Sequence, residues 1–206
     1  MFAAFIALAA GSPALTEAVD IPLASLTADQ QAGLDRHNHY RRLHQDTPNQ
    51  SSDNVLCADA TAYAQKLADL GKFQHDSSEL KKKRQGENLH MAWSSRPFTD
   101  PGYERAVDKW YDEIGEYDYS DPTFTPGTGH FTQVGISNRL NFILTVQADM
   151  RQQQVEIQFK VVWKDSTSMC MGHAYSEDRK KVYVVARYKT RGNMWGQFAS
   201  KVKPLK

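Results

Sequence analysis

The spacing of apolar residues changes along this chain, and that change limits the folds open to it. Up to about residue 115 they recur at helical intervals, whereas Lys181 to Tyr188 is a run of β-branched and aromatic residues. Spacing of three to four residues makes a helix with one buried stripe, and a Val- and Tyr-rich run makes a strand. Helices first and strands later predict a layered α+β domain rather than alternating βαβ units. The first helix opens with Thr27 and Gln30, a capping box, and is predicted to run to about Gln45. Leu34, His37, Tyr40 or Arg41, and His44 share one of its faces. The second is predicted from about Asn54 to Leu70, with a stripe of Leu56, Ala60, Tyr63, Ala64 and Leu67. Gly71 suits the position after its end. The third starts with Asp100 as cap and Pro101 in the first helical position, and ends near Gly115. Val107, Trp110, Tyr111 and Ile114 form its buried face. Between the second and third, Lys81 to Arg84 is expected to be a solvated loop. Asp121 to Gly129 is expected to be another loop, and Val161 to Trp163 and Met169 to Tyr175 to be shorter strands.

Composition excludes several function classes. With 206 residues the chain has room for one domain and an extension. Lys and Arg number 25 against 24 Asp and Glu, so generic attraction to nucleic acid is not expected. Cys57 and Cys170 are the only cysteines, which excludes a disulfide scaffold and a Cys-rich zinc module. No stretch reaches the roughly 18 apolar residues of a membrane-spanning helix. Residues 2–10, FAAFIALAA, followed by Gly11-Ser12-Pro13-Ala14, have the pattern of a secretory signal peptide, although no basic residue precedes them. Residues 1–20 are assigned to it. Phe2 stands where an N-myristoyl anchor requires glycine. Asn49-Gln50-Ser51 is a glycosylation sequon that matters only on the secretory route.

Four polar residues are candidates for chemistry: His75, Glu87, Glu113 and His130. Two imidazoles and two carboxylates can bind a divalent cation or serve as an acid/base set. Spacing alone does not make them converge, and taken one at a time each reads first as a surface or structural residue. There is no His-Glu-x-x-His motif, no Gly-rich phosphate loop and no assignable nucleophile triad.

Ordered motifs then point to one family. They are Leu34-x-x-His37-Asn38-x-Tyr40-Arg41-x-x-His44, Ala64-x-x-Leu67-Ala68, Gly86-Glu87-Asn88-Leu89 and Trp110-Tyr111-x-Glu113-Ile114. They continue with Gly129-His130-Phe131-Thr132-Gln133-Val134, Val162-Trp163-Lys164 and Ala186-Arg187-Tyr188-x-x-x-Gly192-Asn193. Together they resemble the CAP family of cysteine-rich secretory, antigen 5 and pathogenesis-related 1 proteins, also called SCP domains. The few cysteines and Ala186 place the resemblance nearest the Golgi-associated plant pathogenesis-related branch, which includes membrane-associated proteins.

The resemblance implies a three-layer α-β-α sandwich with a central antiparallel sheet over 27–198, followed by a basic tail at 199–206. It implies that His75, Glu87, Glu113 and His130 line a central cleft, with His75 and His130 as ligands of Zn²⁺. It also implies a secreted or membrane-peripheral, non-enzymatic protein that binds lipid, sterol or a protein partner. The alternative is a metal-dependent hydrolase, a peptidase using the same four residues. Whether Cys57 and Cys170 pair stays open.

One departure from the family pattern is large. The segment 135–161, 27 residues, interrupts a signature that elsewhere runs on without a break. Leu140, Phe142, Leu144 and Val146 alternate with polar positions, with Ile143 the exception, as do Val155, Ile157, Phe159 and Val161, which is the pattern of a hairpin. The competing reading is translated intron sequence. Every Val codon begins with GT and one Lys codon ends with AG, so a segment from Val134 to Lys160 has splice-compatible edges.

Overall fold

A computed structural model describes residues 25–117, 119–120, 161–194 and 196–206. The signal-peptide assignment, the loop at 121–129, His130 and nearly all of the interruption at 135–161 lie outside the described residues.

Helix α1 spans Ala28–Leu43 and starts with the expected capping box. The Thr27 N–H donates to Gln30 Oε1 at 3.0 Å, and Gln30 N–H donates to Thr27 Oγ1 at 3.2 Å. Gln30 Nε2 also reaches the Met171 carbonyl at 3.0 Å, which docks the helix start on the sheet. Leu34, His37 and Arg41 are buried on its inner face, and Arg41 rather than Tyr40 takes the central place. Helix α2 spans Asn54–Leu70 with the predicted stripe buried. Asp53 caps it by accepting from Val55 N and Leu56 N. Gly71 closes it at φ 61°, a conformation that costs a glycine little.

The run Lys81 to Arg84 is not the expected loop. Ser77–Lys83 forms a short helix, α3, with Asp76 accepting from Glu79 N at its start. Its three lysines fall in the last turn, where positive charge complements the helix dipole. Helix α4, Tyr103–Asp112, begins two residues later than Pro101 predicts. Gly102 occupies the cap position at φ 66° with no side-chain cap, and Asp100 pairs instead with Arg105 at 2.8 Å. Its buried residues are Tyr103, Ala106, Val107 and Trp110, and Tyr111 and Ile114 are only half-buried. Glu113–Glu116 continues as a 3-10 turn.

Four strands, β1 Ser51–Ser52, β2 Gly86–Trp93, β3 Ser168–Tyr175 and β4 Lys181–Lys189, form one sheet in the order β1-β3-β4-β2. The β3–β4 and β4–β2 pairs are antiparallel, and the short β1 adds parallel to β3. Val161 and Val162 are helical and Trp163 irregular, so the expected strand there does not form. All three are buried in the core.

Alternation along β4 gives the sheet two dissimilar faces. One packs Tyr183 and Val185 with Leu89 against Ala60, Tyr63, Ala64 and Leu67 of α2. A Cβ on Gly172 would come within 2.2 Å of Thr61 N, so α2 lies directly on β3 only because that residue is glycine. A Cys57–Cys170 disulfide locks the same contact across 113 residues. A closed loop that long adds about 2–4 kcal/mol by restricting the unfolded chain. The other face packs Met171, Val182, Val184 and Ala186 against Leu34 of α1 and Val107 and Trp110 of α4. Helices on both sides of a sheet make the α-β-α layering. The C-terminal residues pack on this framework too. Phe198 and Val202 are buried around α5, Phe198–Lys201, and Lys206 N donates to the Leu43 carbonyl at 3.0 Å.

Candidate functional site

Register sets the centre of the site. Glu87 on β2 is the direct cross-strand partner of Arg187 on β4, and both side chains face α2. Arg187 Nη2 lies 2.7 Å from Glu87 Oε2. The other carboxylate oxygen, Oε1, is 2.8 Å from His75 Nδ1 and accepts from Asp76 N at 3.3 Å. Glu87 is 0% exposed. A carboxylate buried this deeply requires a cation and donors around it, and here it has an arginine, an imidazole and a backbone N–H. His75 is carried by the segment between α2 and α3, where Asp76 both caps α3 and donates to Glu87.

The structure therefore brings His75 and Glu87 together. Glu113 is half-buried at the start of the 3-10 turn after α4. His130 lies outside the described residues. Of the aromatics near these motifs, Phe73 is half-buried against the α2-side core. Trp93 is 66% exposed and is no core residue.

Sequence reasoning did not assign Arg187 a role. Its signal was a charged residue inside the most apolar run of the chain, and a buried arginine implies a carboxylate in reach. The guanidinium also donates to Gln85 Oε1 at 3.4 Å and lies 4.9 Å from the Tyr63 ring centroid. Gln85 passes the network on to Asp59 through its Nε2 at 2.7 Å.

A second polar chain runs behind Glu87 on the opposite face. His37 Nδ1 donates to the Gly33 carbonyl at 2.8 Å, so its Nε2 accepts from the Tyr188 hydroxyl at 2.8 Å. That hydroxyl in turn accepts from Asn88 Nδ2 at 3.1 Å. Burial, aided by the nearby Arg41 charge, pushes the His37 pKa down to about 4. The imidazole is therefore neutral at pH 7, a fixed donor and acceptor that ties α1 to β4 and β2 beside the site.

Comparison with known proteins follows this geometry. The family model described as the cysteine-rich secretory protein family matches residues 34–188. Golgi-associated plant pathogenesis-related protein 1 of Homo sapiens is 34% identical over 175 residues, covering 84% of this chain and 91% of that protein. Protein PRY2 of Saccharomyces cerevisiae is 30% identical over 172 residues, again 84% of this chain. The match takes in only 40% of the yeast protein's length. Among solved structures, that of BmVAL-1 superposes with a TM-score of 0.60 at 14% identity, covering 88% of this chain and 84% of that one. At that identity the likeness concerns the fold alone. Among the described residues no helix is long and apolar enough to cross a membrane. The matched span, the two relatives and the layered α+β architecture agree, and the chain belongs to the cysteine-rich secretory protein, or CAP, family.

Proposed function

We propose that this chain is a non-enzymatic binding module that takes a lipid, a sterol or a protein partner. The engagement of Glu87 carries the reading. A hydrolase with Glu87 as its base needs that carboxylate to be able to accept a proton from water. Glu87 is wholly buried, and its two oxygens face His75, Asp76 N and Arg187. Such a carboxylate holds β2, β4 and the segment after α2 in place. The disulfide supports action in an oxidising compartment, extracellular or on the secretory route. Placement at the periphery of an intracellular membrane is the alternative, and the human relative's name mentions the Golgi.

Zinc fits this site only in part. Among the described residues no three His, Cys, Asp or Glu side chains converge as a metal-binding group. Zinc bound through His75 and His130 would use Glu87 as the carboxylate that orients the His75 ring, not as a ligand. Metal analysis of the purified chain by mass spectrometry, beside His75→Ala, tests that point.

The function is tested by retention of a radiolabelled sterol and a radiolabelled fatty acid, run beside a peptidase assay. Retention without turnover is expected. Peptide turnover that disappears with a chelator and in His75→Ala would replace this reading with the hydrolase.

A further inference from the structure

Between α1 and β1 the chain presents Asn49-Gln50-Ser51, the one Asn-x-Ser/Thr tripeptide in its 206 residues. We propose that Asn49 is a modification site that carries an N-linked oligosaccharide on its side-chain nitrogen. The inference rests on the oxidising compartment that the disulfide supports, and it adds a covalent ligand that the lipid-or-partner reading does not contain.

Position decides whether a folded chain can hold a glycan. Asn49 and Ser51 are exposed, while Gln50 between them is only 4% exposed. The backbone around them is fastened. The Pro48 carbonyl accepts from Arg41 Nε at 2.7 Å. Gln50 N donates to Asn38 Oδ1 at 2.7 Å, and the Gln50 carbonyl accepts from Asn38 Nδ2 at 3.0 Å. Ser51 N donates to the Thr167 carbonyl at 3.0 Å. None of these bonds uses the Asn49 side chain, so a substituent on its Nδ2 breaks no contact that holds the segment. A bulky, solvated sugar is at home on such a surface segment.

The buried Gln50 means that transfer precedes folding of this segment. The order of synthesis allows it. Cys57 cannot pair until Cys170 has been made, and the tripeptide emerges well before that.

The donor is a lipid-diphosphate-linked oligosaccharide. Asn49 Nδ2 forms a bond to the anomeric carbon, and the bond from that carbon to the diphosphate oxygen breaks. The lipid diphosphate leaves with the electron pair, and Nδ2 gives up one proton. The Ser51 hydroxyl is the group that the motif requires two residues on, and Gln50 avoids the proline that the motif excludes.

The glycan also stands clear of the site. β1 and β2 are the two edges of the described sheet, three strand spacings or about 14 Å apart. Asn49 immediately precedes Gln50 and β1, so the sugar sits at the edge remote from Glu87.

The test expresses the full chain in a eukaryotic secretory host in two forms, one with its own N-terminus and one with a host leader fused ahead of Met1. Intact mass is measured before and after digestion with an N-glycosidase, which converts a glycosylated asparagine to aspartate. Both forms are expected to lose the mass of one oligosaccharide, with the conversion mapped to Asn49. Asn49→Gln and Ser51→Ala should each abolish the loss, and Ser51→Thr should keep it. After digestion Asn49→Gln should unfold at the same urea midpoint as the parent chain, which excludes misfolding as the reason for a missing glycan. The proposal is overturned if the leader-fused chain is secreted with Cys57 and Cys170 paired and the enzyme leaves its mass unchanged. It is equally overturned if the mass loss survives in Asn49→Gln. A glycan on the leader-fused chain, with the unfused chain retained in the cell as free thiols, upholds Asn49 as the acceptor and overturns the secretory placement instead.

Discussion

Among the described residues each face of the sheet buries one arginine, and the two are satisfied in opposite ways. Arg41, on the α1 side, donates only to carbonyls. Its Nε bonds Pro48 O at 2.7 Å, its Nη1 bonds Val161 O and Trp163 O at 2.9 Å each, and its Nη2 bonds Lys164 O at 3.3 Å. Burial lowers its pKa to about 10. Arg187, on the α2 side, faces the Glu87 carboxylate across a strand pair. Carbonyls have direction but no charge, so Arg41 works as a clamp on the backbone. It fastens α1 to the Pro48 carbonyl and to residues 161–164. Arg187 neutralises a carboxylate, which carbonyls cannot do.

Removing the clamp should have the largest effect. Arg41→Met leaves four carbonyls without their donor, those of Val161 and Trp163 at buried contacts, and about 4 kcal/mol of stability should be lost, read from urea unfolding. Arg41→Lys should recover less than half, because one ammonium lacks the planar fork that spans carbonyls on two segments. Recovery by lysine would show that charge rather than geometry matters at Arg41, and the contrast with Arg187 would fail.

Breaking the ion pair comes next. Glu87→Gln or Arg187→Met alone should cost about 3 kcal/mol, because each leaves a buried charge without its partner. The double variant should cost clearly less than the sum. Additive losses would mean that Glu87 depends on His75 and Asp76 N rather than on Arg187.

Most of this framework is legible in the sequence wherever a local signal fixes it. Thr27 and Gln30, the α2 stripe and Gly71 act within one or two turns, and the structure follows them closely. The misses are tertiary. β2 carries Gly86 to Trp93 with no clean alternation, because its first four residues are buried on both faces. Asp100 looks like a cap but faces Arg105, and the capping position falls to Gly102. The site divides in the same way. His75 and Glu87 are marked by their motifs. Arg187 is paired only through the β2–β4 register, which no single stretch of sequence contains.

Acid should distinguish the two faces next. His37 sits under α1, and His90 shares the α1 and α4 side of the sheet with Val184. Burial lowers the pKa of each to about 4, with Arg41 adding to the effect at His37 and Arg105 and Lys109 at His90. Both groups take up a proton more readily in the unfolded chain, whose pKa is about 6.5. The contribution of these two groups is therefore at its full value above pH 6.5, falls as pH drops toward 4, and levels off below that. The loss should be up to about 3 kcal/mol for each histidine, and His37→Gln should remove part of the slope. An unchanged slope in that variant would move the acid sensitivity away from the α1 side.

The smallest contrast is between helix starts on the two faces. Asp53 accepts from Val55 N at 2.9 Å and Leu56 N at 3.1 Å and pairs with Lys189 at 2.8 Å, so α2 begins with its end groups satisfied. These partners hold the Asp53 pKa below the usual carboxylate range against the opposing effect of burial. Asp53→Ala should cost about 1 kcal/mol at pH 7, and less as pH falls through the native pKa and the carboxylate is protonated. Asp100 precedes α4 in a sequence context that looks just as favourable, yet it makes only an exposed pair with Arg105. Asp100→Ala should stay within about 0.5 kcal/mol of the unaltered chain. Equal losses would mean that Asp100 does cap α4 in solution, and the two faces would then begin their helices alike.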